Sequence, residues 1–161
     1  MNQNSIRIRK LAVKSFYFKL YLLFRLPMGF ISGMRIKALD EKKCVVSVPY
    51  KWLNKNPFKS TFWAVLGMGA EMNTAALILQ YTLNHKPTIS TLPLKCNAEF
   101  IKKATGITKF ICNDGPMIKE KVNEAIESKK AVIIEAFSEG IDKESQTICK
   151  FKFTWSIKIK S

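Results

Sequence analysis

Residues 149–160 alternate without a break: Cys149, Phe151, Phe153, Trp155, Ile157 and Ile159 fall on one face, and Lys150, Lys152, Thr154, Ser156, Lys158 and Lys160 on the other. A period of two with one apolar and one polar face predicts a half-buried antiparallel strand. AVIIEAF at 131–137 reads as a second strand, with Ser138, Glu139, Gly140 and Asp142 starting the turn that pairs the two. Residues 109–113 form a short third strand. Between them Asp114-Gly115-Pro116 opens a segment of different period, with Ile118, Val122, Ala125 and Ile126 on one helical stripe up to about Lys129. Residues 34–39 and 43–50 predict a hairpin around Asp40-Glu41, and 88–101 another extended segment.

Two stretches depart from the strand pattern. Residues 60–83, STFWAVLGMGAEMNTAALILQYTL, carry a single charge, Glu71. Glu71, Asn73 and Gln80 make the run too polar for a membrane span, so a helix apolar nearly all round predicts the buried axis of a domain. The loop cluster Asn54-Lys55-Asn56-Pro57-Phe58 precedes it, and Ser60 is the expected N-cap. Gly67, Gly69 and Ala70 predict a close approach by another element, and Phe62, Trp63, Leu66 and Met68 are expected in the core. Residues 5–26 read as one amphipathic helix closed by Pro27, with Leu11, Phe18, Leu22 and Leu26 interleaved with Lys14, Lys19 and Arg25. Its recurring cations exclude a secretory signal and a clean span. Either its aromatic face packs on the domain, or it lies in a membrane interface with its cations toward anionic headgroups. The order of elements fits an α+β domain, residues 31–161, in which one antiparallel sheet wraps a long central helix, with an N-terminal helical segment, 1–30, packed on it.

Composition sharpens this in two respects. The 161 residues carry 27 Lys and Arg against 12 Asp and Glu, a net charge of +15. Residues 1–60 hold 13 of those cations against only Asp40 and Glu41, so an anionic partner is expected of this half. Nucleic acid fits poorly, because the aromatic and lysine faces of 149–160 are segregated rather than interleaved. The four cysteines, at 44, 96, 112 and 149, are scattered and accompany a single histidine, His85. They predict reduced, mostly buried thiols of a cytoplasmic protein and no metal site. His85, beyond the long helix, reads as an end cap.

The Asn-x-Asn-Pro-Phe-x-Ser loop feeding a helix that carries Ala70-Glu71, within this order of elements, resembles the hotdog-fold thioesterase superfamily, and within it a bacterial branch of thioesterase-like domains. The resemblance spans about residues 10–160. It implies a homodimer or a tetramer, an acyl-CoA or acyl carrier protein thioester as ligand, and no cofactor. It also implies Glu71 as general base or nucleophile, a position where burial should raise the carboxyl pKa toward neutrality. Asn54 or Asn56 would hold the water or the thioester carbonyl. The helix-start N–H groups of Thr61 and Phe62 would stabilise the oxyanion, with Ser60 and Thr74 also contacting substrate. Hotdog thioesterases often place a glycine where this chain has Phe58-Lys59-Ser60-Thr61. That departure keeps a second reading open, a non-catalytic acyl- or lipid-binding protein of the same fold.

Overall fold

A computed structural model describes residues 3–160; Met1, Asn2 and Ser161, at the ends of the two expected segments, lie outside them. The strands are β1 (Arg35–Leu39), β2 (Cys44–Val48), β3 (Ile89–Phe100), β4 (Thr108–Cys112), β5 (Val132–Ile141) and β6 (Thr147–Ile159). They form one six-stranded antiparallel sheet in the order β1-β2-β4-β5-β6-β3. The helices are α1 (Gln3–Val13), α2 (Ser15–Arg25), α3 (Pro27–Ser32), α4 (Trp63–Thr82) and α5 (Gly115–Ser128). Helix α4 packs against β2, β4, β5 and β6, which is the architecture expected of the central apolar run. No helix of the described residues is long and apolar enough to cross a membrane.

The period-two reading of β6 corresponds to its burial, with Cys149, Phe151, Phe153, Trp155 and Ile157 all in the core. Of the turn expected from Ser138 to Asp142, residues 138–140 are instead strand, because Ser138 and Gly140 continue the inward face of β5, while Asp142 does open the turn. A side chain at Gly140 would meet the Cys149 Sγ at 2.7 Å and the Phe110 ring at 2.8 Å, so only glycine lets β5 run past them. The chain reverses at 142–146, where the Asp142 carboxylate accepts the N–H groups of Glu144 and Gln146 at 3.0 and 2.8 Å.

The N-terminal segment differs from the single helix expected. Lys14 adopts an extended conformation (φ −71°, ψ 106°) that divides it into α1 and α2. The break lets each half satisfy a different surface. Arg9 on α1 donates to Gln80 of α4 at 2.6 Å and to Glu41, after β1, at 3.2 Å, while α2 turns Phe18 and Leu22 inward. Pro27 does not close the helical segment but opens α3, where its missing N–H costs nothing.

At the other end of the loop, the N-cap of α4 lies two residues later than the expected Ser60. It is Phe62, without a side-chain cap, and Ser60 bonds within the preceding loop. Phe62 and Trp63 are therefore exposed rather than core, whereas Leu66 is buried.

Candidate functional site

One face of α4 borders a cavity of about 580 Å³ roofed by α1, α2 and α3. Met68, Met72, Ala75 and Leu79 recur along α4 at helical spacing and, with Leu83 at its C-cap, form the floor, and Tyr17, Phe18 and Tyr21 of α2 also line the cavity. The volume lies within the range that buries a small organic ligand. Two charged residues reach this apolar lining, Arg25 and Glu71. Glu71 is open to solvent on one side, yet desolvation by its surroundings raises its pKa above the usual carboxylate range. No hydrogen bond or ion pair of the described residues holds its carboxylate. Cys96 of β3 is near enough that its thiol is pushed up by partial burial and, secondarily, by the Glu71 charge.

A second hollow of about 330 Å³ lies at the start of α4. It gathers Asn56, Ser60 and Thr61 with Trp63, Lys102 and Lys103. Asn56 organises its loop: Oδ1 accepts the N–H groups of Phe58 and Ser60 at 3.0 and 3.1 Å, with the Ser60 hydroxyl also within reach. Thr61 donates through both its N–H and its hydroxyl to the Ala104 carbonyl, at 2.8 and 3.1 Å. The N–H of Phe62 donates to the Asn54 carbonyl at 2.7 Å. The two oxyanion donors expected at the helix start are thus already engaged inside the chain. The N–H groups of Trp63 and Ala64, the first two of α4, have no acceptor within the helix.

The remaining candidates lie apart from both hollows. Asn54 is buried, and its amide donates to the Ser32 and Pro49 carbonyls at 2.8 and 2.7 Å, tying α3 and β2 to the loop. Replacing Asn54 by Ala should cost about 2–3 kcal/mol in urea-unfolding stability, since one buried and one part-buried carbonyl lose their donor. Thr74 is buried too; its hydroxyl donates to the Glu71 carbonyl at 3.0 Å and accepts the Trp155 indole N–H at 3.2 Å. That bond fixes the α4 turn from which Glu71 projects. His85 caps its own turn, Nδ1 lying 2.9 Å from the Pro87 carbonyl. Glu71 stands eight residues beyond Trp63 on α4, about 12 Å along the helix axis, so a single chain separates the carboxylate from the helix start.

The sheet has two edge strands, β1 and β3, and the longer of them, β3, pairs with β6 on one side only. From Leu92 to Phe100 every residue is exposed, Leu92, Leu94 and Phe100 among them. A long edge strand presents unpaired backbone N–H and C=O groups that can pair with another chain. Met68, expected in the core, is instead half-buried on the cavity floor; a helix apolar nearly all round does not mark in sequence which face lines a cavity. Its roof depends on the break at Lys14, for which the sequence carries no Gly or Pro signal.

No family model matches the sequence, and no curated protein matches it. Solved structures do match the fold. A Pseudomonas aeruginosa protein of unknown function, described as a probable thioesterase, superposes with a TM-score of 0.76 at 16% identity, covering 90% of this chain and 96% of that one. The PaaI protein from the phenylacetic acid degradation operon of E. coli gives 0.64 at 14% identity, with 94% and 97% covered. A thioesterase from Haemophilus influenzae gives 0.62 at 16% identity, with 92% and 95% covered. The architecture is the hotdog fold that the sequence resemblance implied.

Proposed function

We propose that this hotdog-fold protein hydrolyses acyl thioesters as a homodimer, with Glu71 as general base and the acyl chain in the cavity beneath α1, α2 and α3. The observation that carries this reading is the placement of Glu71, the one carboxylate in the lining of a large apolar cavity. Apolar walls suit an acyl chain, each buried methylene contributing about 0.8 kcal/mol. In the reaction a water oxygen attacks the thioester carbonyl while Glu71 takes its proton. The tetrahedral oxyanion collapses with cleavage of the C–S bond, and the proton on Glu71 passes to the departing thiolate. A carboxylic acid and a free thiol result.

Oxyanion donors must lie beside the same carbonyl, and those of α4 lie about 12 Å from Glu71. A second copy paired along β3 would bring its own helix start toward Glu71, which explains why β3 is a bare apolar edge. Lys102 and Lys103 beside the helix start would meet the phosphates of coenzyme A or an acidic acyl carrier protein. The test is thiol release from butyryl-, octanoyl-, palmitoyl- and phenylacetyl-CoA. Turnover should favour the longer chains, and Ala75→Trp, which fills the cavity floor, should lower kcat/KM for palmitoyl-CoA by at least about tenfold while sparing butyryl-CoA. Equal losses for both esters would remove the chain from this cavity.

A second reading, an acyl-binding protein without hydrolysis, is favoured by the engagement of the Thr61 and Phe62 N–H groups within the chain. It predicts saturable binding of palmitoyl-CoA with no thiol released.

A further inference from the structure

The surface of α2 is inverted relative to an ordinary surface helix. Phe18 and Leu22 point into the core, and the opposite stripe, Phe16, Leu20, Leu23 and Phe24, is also apolar and faces solvent. Phe16 is 72% exposed and Phe24 74%. A helix that packs through one face gains nothing from a second apolar face in water, so this stripe needs a cover of its own. The exposure continues onto α3 at Met28, and onto a 3-10 turn, Trp52–Asn54, at Trp52, which is 74% exposed. The turn sits against α3, where the Lys51 ammonium donates to the Ile31 carbonyl at 2.5 Å and the Asn54 amide to Ser32.

The charge of the same segment identifies the cover. Residues 1–39 contain eight Lys and Arg and no Asp or Glu. Lys14 and Lys19, which flank and interrupt α2, form no ion pair with a carboxylate of the described residues. Lys55 lies 6.0 Å from the Trp52 ring, so the exposed indole also has a cation beside it. A second copy of this face would set like charges against each other. An anionic lipid surface instead takes aromatic and leucine side chains at its headgroup boundary and cations among its phosphates. We infer that α2, with α3 and the Trp52 turn, docks this protein on an anionic membrane surface. The docking lies in the interface plane and is reversible. It does not depend on hydrolysis, although Tyr17, Tyr21 and Met28, which line the cavity, are themselves exposed beside the docking stripe.

The test is flotation of the full chain with vesicles of phosphatidylcholine alone or mixed with phosphatidylglycerol. Partitioning into the mixed vesicles should exceed that into phosphatidylcholine by at least about tenfold and fall as salt rises. The double variant Phe16→Ser/Phe24→Ser, whose side chains are exposed and are not part of the cavity lining, should lose about tenfold or more of this partitioning with its unfolding midpoint unchanged. Lys14→Gln/Lys19→Gln should reduce binding to the mixed vesicles and leave the residual binding to phosphatidylcholine alone. Absence of vesicle binding, or binding that survives the double phenylalanine variant, would overturn the inference. So would a shift of that variant to a smaller species in sedimentation velocity, which would show that a second copy covers the stripe.

Discussion

Glu71→Gln should lower kcat for thioester hydrolysis by at least about 100-fold while leaving KM within a few-fold, because a general base contributes about 10² to 10⁴ and the amide keeps the shape of the cavity wall. The physical basis is the carboxyl's position at the edge of an apolar cavity, where desolvation disfavours its charged form. The wild-type rate should then rise with pH through a window displaced upward from the ordinary carboxylate range, since the ionised form is the one that accepts a proton. Stability moves the other way. The folded-state pKa lies above the unfolded value, so the folded chain holds this proton to higher pH. Below the unfolded pKa there is no penalty, and as pH rises through the folded pKa stability is lost. Glu71→Gln should therefore be neutral for stability in acid and mildly stabilising at neutral pH. The gain should stay under about 1 kcal/mol, because the group is open to water on one side and its interactions are screened. A variant that is dead in the thiol-release assay yet melts slightly higher at neutral pH is the signature of a functional carboxylate. A variant dead and destabilised would mark Glu71 as structural.

The elements with a clear period are legible in the sequence itself. The alternation of 149–160 specified both the strand and its buried face, and the nearly charge-free run at 60–83 specified the central helix. The structure departs from the sequence pattern where tertiary packing overrides a local signal. Ser60 is a good capping residue, but the Asn56 carboxamide and a Thr61–Ala104 bond hold the loop closed for two further residues, so Phe62 takes the cap position. Ser138 and Gly140 carry turn chemistry, yet both are needed small and inward along β5. The site divided for a geometric reason. Loop and helix residues adjacent in sequence suggest one constellation, but the 1.5 Å rise of a helix carries Glu71 well away from Asn56 and Thr61. Asn54 and Thr74 have the right chemistry for a site, and the structure spends it on buried hydrogen bonds.

Phe110→Ala should destabilise the fold by about 3–5 kcal/mol, the largest effect expected of a single core truncation here. The ring is fully buried at the middle of β4, where a missing side chain on each of two neighbouring elements makes room for it. A Cβ at Gly69 of α4 would come within 2.7 Å of the ring and 2.6 Å of Val48, and one at Gly140 of β5 within 2.8 Å of the ring. The expectation of close approach at Gly69 is met by β2 and β4, whereas at Gly67 the nearest atom, on Phe151, would sit at an ordinary 3.8 Å. The two glycines therefore respond differently to the same change. Gly67→Ala should be neutral or stabilising, because helix propensity contributes up to about 1 kcal/mol and nothing is displaced. Gly69→Ala carries the same propensity gain but forces Phe110 and Val48 apart, an overpacking cost of about 1–3 kcal/mol, so the net change should be destabilising. The coupling can be isolated. In a Phe110→Leu background, where the ring edge facing α4 is gone, Gly69→Ala should lose much of its cost, and a double-mutant cycle should return a favourable interaction of about 1 kcal/mol. Strict additivity would mean that the helix shifts as a body rather than pressing on the ring. In that case the helix-to-sheet spacing, and with it the cavity floor carrying Glu71, is softer than the packing of α4 requires.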